Sequence, residues 1–157
     1  MTESDLPTFT LTVKPEWIDH NGHMNVAYYV LAFDLATDEF YDTLGMGFDY
    51  ADTGYSIFTL CMNVDYLHEL FEGEEAVVRT HLLDADRKRV HYIHSMFHGR
   101  TNAPVATNEC LAINVELEQR RSAPFPAGVQ ARIDETLSSH SAHEPPPQAR
   151  RTLAIRR

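Results

Sequence analysis

The chain has 157 residues, enough for one domain whose core needs no disulfide, and its 43% hydrophobic and 10% aromatic content excludes a disordered polymer. Its net charge of −10 becomes −14 over residues 1–149, because four of the 13 basic residues occupy the last eight positions; such a body repels nucleic acid, and no nucleic-acid partner is expected. The apolar runs are too short to span a bilayer, the start Met1–Asp5 is acidic rather than signal-like, and Cys61 and Cys110 lie far apart, which predicts a cytoplasmic protein with no membrane partner.

From Thr8 to Lys14, Phe9, Leu11 and Val13 alternate with polar residues and predict a half-buried strand that stops at Pro15. From Asn25 to about Leu44, the apolar residues Val26, Tyr29, Val30, Phe33, Ala36, Phe40 and Leu44 recur every three or four positions. They predict one long helix, ended by Gly45 and Gly47. Next, Phe58, Leu60, Met62, Val64 and Tyr66 alternate with Thr59, Cys61, Asn63 and Asp65, a strand with one apolar and one polar face. Turns at Glu72–Glu74, Asp84–Lys88 and Gly99–Asn102 divide the following stretch into strands over about 76–84, 90–98 and 105–117. Four long strands with short turns predict an antiparallel meander. A short helix is expected over 131–137, and Ser138–Gln148, with Pro145–Pro147, has linker composition. The predicted organisation is one domain over 1–137 and a flexible tail over 138–157. The fold class is α+β, an antiparallel sheet of about five strands wrapped around one central helix. Its polar strand edges invite sheet extension across a homodimer.

The segment between the first strand and the helix carries the chemistry. Asp19-His20-Asn21-Gly22-His23-Met24-Asn25 places a carboxylate, two amides and imidazoles in seven residues, with Gly22 where the backbone turns. The helix that follows aims its free N–H groups at the same place. A carboxylate beside such donors suits attack on a polarised carbonyl; Asp and Asn are also ordinary helix caps.

Val13, Asp19, Gly22, His23, Asn25 and Tyr29 resemble the hot-dog fold acyl-CoA thioesterases, in particular the 4-hydroxybenzoyl-CoA thioesterase-like branch with its Asp-x-x-Gly-His-x-Asn pattern. Phe58-Thr59-Leu60, Asp65–Leu70, Asp86–His91 and Ala106–Glu109 look similar to the betainyl-CoA thioesterases associated with carnitine dehydrogenase. The resemblance implies hydrolysis of a short-chain acyl-CoA thioester, betainyl-CoA among the candidates, with no cofactor beyond the CoA of the substrate. It makes Asp19 the catalytic carboxylate, as nucleophile or general base, and places the oxyanion site at Gly22 and the amides around His23 and Met24. Asn21 and Asn25 hold the carboxylate or a water, and His23 does the same or caps. The resemblance also sets the site between the protomers of a dimer or dimer of dimers, completed by Phe58, Thr59 and Cys61 of the second sheet strand. Two positions depart from the pattern: Cys61 stands where Glu is expected, and Val26 where a second Asn is common.

In an acidic body the CoA phosphates need a basic patch, either Arg87-Lys88-Arg89 or Arg120-Arg121. A quaternary ammonium acyl group would need aromatic faces, for which Trp17, Tyr28, Tyr29, Phe33, Phe58 and Tyr66 are candidates. His91, His94 and His98 lie on a strand, where alternation turns His91 away from the other two, so no metal site is expected. A non-catalytic acyl-CoA-binding module and a hot-dog dehydratase or hydratase are the alternatives. The latter enzymes resemble Asp-x-Asn-Pro-x-His, whereas here His23 follows Asp19 by four residues without a Pro.

Overall fold

The computed structural model describes residues 5–157; the acidic start at Met1–Ser4 falls outside them. Alternating Thr8–Thr12 forms β1. The long helix α1 runs over Val26–Thr43 and is opened by Asn25, whose Oδ1 accepts the Ala27 N–H at 2.9 Å. That bond satisfies one of the donors a helix start leaves unpaired. Gly45 follows the helix at φ 78°, a left-handed conformation that suits glycine and ends α1 as the sequence predicts. The expected strands form β2 (Tyr55–Tyr66), β3 (Glu75–Ala85), β4 (Arg89–His98) and β5 (Pro104–Glu116), with a two-residue β6 (Arg121–Ser122) beside β5. Every pairing is antiparallel.

The strand order corrects the meander. It runs β1-β3-β4-β5-β2, so of the four long strands only β3, β4 and β5 follow one another as hairpins. The chain leaves the far end of α1 through a 3₁₀ turn at Phe48–Thr53 and enters the sheet beyond β5, which makes β2 an edge strand. A bulge between Thr59 and Cys61 corrects the face assignment as well. An extra residue reverses the alternation: Thr59 and Met62 both face α1, while Phe58 and Cys61 both face away. The predicted polar face of Thr59, Cys61 and Asn63 is therefore split between the two sides.

The core lies in the curl of the sheet around α1. Tyr29, Ala32, Phe33, Ala36 and Phe40 of α1 are buried against Val78, Leu82, Met96 and Ala106. A second helix, α2, spans Ala127–His140, longer at both ends than expected. It buries Val129 and Ile133, and the Nδ1 of His140 accepts the Leu82 N–H at 2.9 Å. The segment beyond it, where the sequence predicts a flexible tail from Ser138, makes defined contacts with the sheet. Arg150 N–H donates to Glu109 Oε1 at 2.7 Å, Arg157 forks onto Asp84 at 2.8 and 3.0 Å, Arg151 pairs with Asp65, and Ile155 is buried. These partners sit on strands remote in sequence, so linker composition does not reveal them. Among the described residues, no helix is long and apolar enough to cross a membrane.

Candidate active site

Asp19 and His23 close a miniature hairpin between the bridged residues Ile18 and Met24: Asp19 N–H donates to His23 O at 3.1 Å and Gly22 N–H to Asp19 O at 3.0 Å. Gly22 sits at φ 81°, a left-handed conformation that L side chains rarely adopt, so the turn requires glycine. The hairpin leaves the Asp19 carboxylate half-exposed. Its Oδ1 accepts the Asn21 N–H at 2.8 Å, and its Oδ2 accepts Asn25 Nδ2–H at 3.3 Å. Asn25 thus caps α1 with its oxygen and grips Asp19 with its nitrogen. Each carboxylate oxygen keeps a lone pair for water or substrate.

The expected oxyanion donors need correction. Gly22 N–H is spent on the turn, and Met24, fully buried, donates its N–H to Leu70 O at 2.8 Å. Neither amide is free for a substrate. Among the described residues the amides of His23 and Val26 are paired with no protein acceptor, and they flank the Asn25 cap. The His23 ring donates from Nδ1 to Met24 O at 3.1 Å, which directs Nε2 toward Glu69, 3.8 Å away.

Two further residues join the site through the sheet. Tyr66 O–H donates to Val26 O at 3.0 Å, bringing the end of β2 to the first turn of α1. Tyr29, expected to touch substrate, is buried instead; its hydroxyl accepts the Leu70 N–H at 3.0 Å and fixes the segment behind Met24. Trp17 is also buried, stacked on Tyr28 with ring centroids 5.6 Å apart, and its carbonyl accepts the Asn25 N–H. Phe33 lies wholly in the core. Of the aromatic cage read from sequence, Trp17, Tyr29 and Phe33 are buried within the chain.

Residues 13–133 match the family model of the thioesterase-like superfamily. The chain belongs to that superfamily. It is 37% identical over 151 residues to the betainyl-CoA thioesterase of Pseudomonas aeruginosa, covering 96% of this chain and 95% of that one. It is 34% identical over 140 residues to an L-carnitine dehydrogenase/betainyl-CoA thioesterase of Ruegeria pomeroyi, there covering 87% of this chain and 28% of the longer protein. Among solved structures, a Staphylococcus aureus hypothetical protein in complex with CoA superimposes with a TM-score of 0.88 at 29% identity, over 97% of this chain and 96% of that one. A 1,4-dihydroxy-2-naphthoyl-CoA thioesterase from Synechocystis shares the fold, with a TM-score of 0.74 at 15% identity over 82% of this chain and 95% of that one. The fold is the hot-dog fold, and the protein is a thioester hydrolase.

In this thioesterase the two basic clusters form one patch. Lys88 Nζ donates to Ser122 Oγ at 3.5 Å, Phe125 N–H donates to Arg87 O at 2.8 Å, and Arg120 lies over the Phe58 ring at 5.9 Å. Arg89 is turned into its own strand turn, forked onto Asp86 at 2.6 and 3.0 Å. The patch stands where β2 begins, whereas Asp19 stands where β2 ends. Cys61 faces away from α1, and Phe58 and Thr59 lie on opposite sides of the strand, so one protomer does not bring these three to its own Asp19. His91 and His94 occupy opposite faces, as alternation predicts: His91 bonds Glu109 at 2.7 Å beneath the tail, and His94 faces α1. Among the described residues no group of three ligating side chains is placed to hold a metal ion.

Proposed function

We propose that this thioesterase hydrolyses a short-chain acyl-CoA whose acyl group is betainyl or a close cationic relative, with Asp19 as the catalytic carboxylate. The observation that carries the reading is the half-exposed Asp19 carboxylate, held by Asn25 at the very start of α1. As a base, Asp19 takes a proton from water as the water oxygen attacks the thioester carbon. The oxyanion is met by the His23 and Val26 amides. The C–S bond then breaks, and the CoA thiolate takes up the proton from Asp19. As a nucleophile, Asp19 attacks the thioester carbon and forms a mixed anhydride as the C–S bond breaks and CoA thiolate leaves; water then opens the anhydride, which frees the acid and the Asp19 carboxylate, and the proton released goes to the thiolate. Both routes use the same geometry, and neither needs a cofactor beyond the CoA of the substrate. The 37% identity to a betainyl-CoA thioesterase over nearly the whole chain supports the acyl assignment, as does the acidic body, which favours a cationic acyl group. The free cysteines, with Cys61 exposed, suit a reducing cytoplasm.

We place the working site between two copies. β2 is a twelve-residue edge strand with Leu60, Met62 and Tyr66 exposed, and Val26, Leu31 and Leu35 of α1 are exposed as well. An open apolar edge of this length is an association surface. Thiol release from a panel of acyl-CoAs tests the function. Wild-type protein should turn over betainyl-CoA, and Asp19→Asn should lower kcat by about 10²–10³-fold with an unchanged circular dichroism spectrum. Near-wild-type turnover by the variant would remove Asp19 from the mechanism.

A further inference from the structure

The C-terminal strap from Arg150 to Arg156 and the sheet face turned away from α1 enclose a cavity of 390 Å³, within the about 300–1,000 Å³ of small-molecule sites. Cys61, Arg89 and Leu111 line it from the sheet, and Arg150, Arg151, Leu153 and Arg156 from the strap. Four of its lining residues are arginines and none is acidic, although residues 1–149 carry a net charge of −14. The cavity between α1 and the start of β2 has the reverse sign: Asp34, Asp38, Glu39 and Asp42 line it, and no Lys or Arg does. Two of the four arginines are met by carboxylates of the chain, Arg89 by Asp86 and Arg151 by Asp65. The other two are not. Arg150 gives a guanidinium N–H to Leu83 O at 2.8 Å, a neutral acceptor. Glu109, which takes its backbone N–H, already faces His91 at 2.7 Å. The Arg156 side chain has no partner among the described residues, while its carbonyl accepts from Arg89 Nη2 at 3.2 Å. Arg150 also holds φ 60°, a conformation that glycine adopts at less cost. Like charges gathered around one cavity repel one another, and an anion relieves that repulsion.

We propose that this cavity is a binding site for an organic phosphate, held by Arg150 and Arg156 against Leu111 and Leu153, and that the ligand ties the strap to the sheet. A phosphate group carries a charge of about −1.5 to −2 near neutral pH and three acceptor oxygens. It therefore matches two unopposed guanidinium groups in charge and in hydrogen-bonding geometry, where a carboxylate would answer only one. Leu111, Leu153 and Cys61 give the rest of the ligand an apolar surface, so inorganic phosphate alone leaves much of the cavity unfilled. CoA carries such a group in its phosphoadenosine end, as do other phosphorylated metabolites, and the test separates the two sources. The site does not depend on the role of Asp19.

Cys61 lies in the cavity wall and is exposed, whereas Cys110 is buried. Alkylation of Cys61 by the neutral reagent N-ethylmaleimide, followed by mass spectrometry, thus reports on this cavity and not on the patch at Lys88 and Arg120. Pyrophosphate and adenosine 3′,5′-bisphosphate are the probes. Well above its Kd, either should slow alkylation about fivefold and raise Tm. The nucleotide should act at lower concentration, because it also covers Leu111 and Leu153. Arg156→Glu breaks no side-chain bond of the fold; with an unchanged circular dichroism spectrum it should need about tenfold more of either probe for the same protection. If Cys61 reacts too slowly to follow, the rise in Tm and its loss in Arg156→Glu decide. No protection and no rise in Tm, or equal effects in wild type and Arg156→Glu, overturn the inference. A raised KM for betainyl-CoA in that variant identifies the nucleotide of CoA as the occupant; an unchanged KM with lost protection assigns the cavity to a separate phosphorylated ligand. Protection is read without turnover, so a failure of the thioesterase reading leaves this result standing.

Discussion

Asn25 performs two tasks with one side chain, and they can be separated by substitution. Its oxygen caps α1 at Ala27 and its nitrogen holds Asp19 Oδ2. Asn25→Ala should lose both: about 1 kcal/mol of capping, seen as a Tm lower by about 3 °C, and about tenfold in kcat as the carboxylate loosens. Asn25→Asp keeps the cap and sets a like charge against Asp19, so it should hold Tm while losing activity. Thermal melts and thiol release read the two tasks independently, and full activity in Asn25→Asp would break the link between Asn25 and Asp19. Asp19, Gly22 and Asn25 are legible in the sequence because their bonds close within seven residues. The commitment of the Met24 amide is not, since Leu70 lies far along the chain and only the folded sheet returns it to the loop.

Elements were legible where periodicity is strong, and their arrangement was not. The three- and four-residue stripe of α1 and the alternation of β1 and β3 to β5 follow from local spacing. The bulge in β2 escapes because Phe58-Thr59-Leu60-Cys61-Met62 reads as unbroken alternation until β5 sets the register. The joints between elements rest partly on buried histidines. His94 ties α1 to β3, with Nε2 at 2.8 Å from Thr37 Oγ1 and Nδ1 at 2.9 Å from Thr80 Oγ1. His140 ties α2 to β3 through the Leu82 amide. Burial pulls His94 down to about 3, and burial with the neighbouring His81 and His143 pulls His140 down to about 4. In the unfolded chain both titrate near 6.5. As pH falls below that value the unfolded chain binds protons that the fold does not, so the stability these residues give is complete above about pH 6.5. It is lost progressively as pH falls through about 4 for His140 and about 3 for His94. Tm should therefore hold steady from about pH 8 to 7 and decline from about 6 to 4. His140→Gln, whose amide oxygen can still accept from Leu82, should flatten part of that decline. An identical slope in wild type and variant would show that His140 takes no part.

At the scale of the whole molecule, the sheet separates two features that the proposed reaction would use together. Asp19 lies at the end of β2 where Tyr66 meets Val26, and the basic patch lies where Arg120 covers Phe58. Eight residues of strand hold these points about 26 Å apart. Antiparallel pairing of two β2 edges would reverse one strand against the other and set the patch of each protomer beside the Asp19 of its partner. The CoA phosphates and the thioester would then be held by different chains. This arrangement predicts complementation between two defective proteins. Asp19→Asn chains keep the patch; Arg87→Ala/Lys88→Ala/Arg121→Ala chains keep the carboxylate and should show a raised KM that converges on wild type at high salt. Co-expressed at equal levels, half of the dimers are mixed, and each mixed dimer holds one complete site. Activity at low substrate should recover to about a quarter of the wild-type value. If the mixture gives only the average of the two parents, each patch serves its own Asp19 or none. A fully active monomer in sedimentation at assay concentration would end the argument for a shared site altogether.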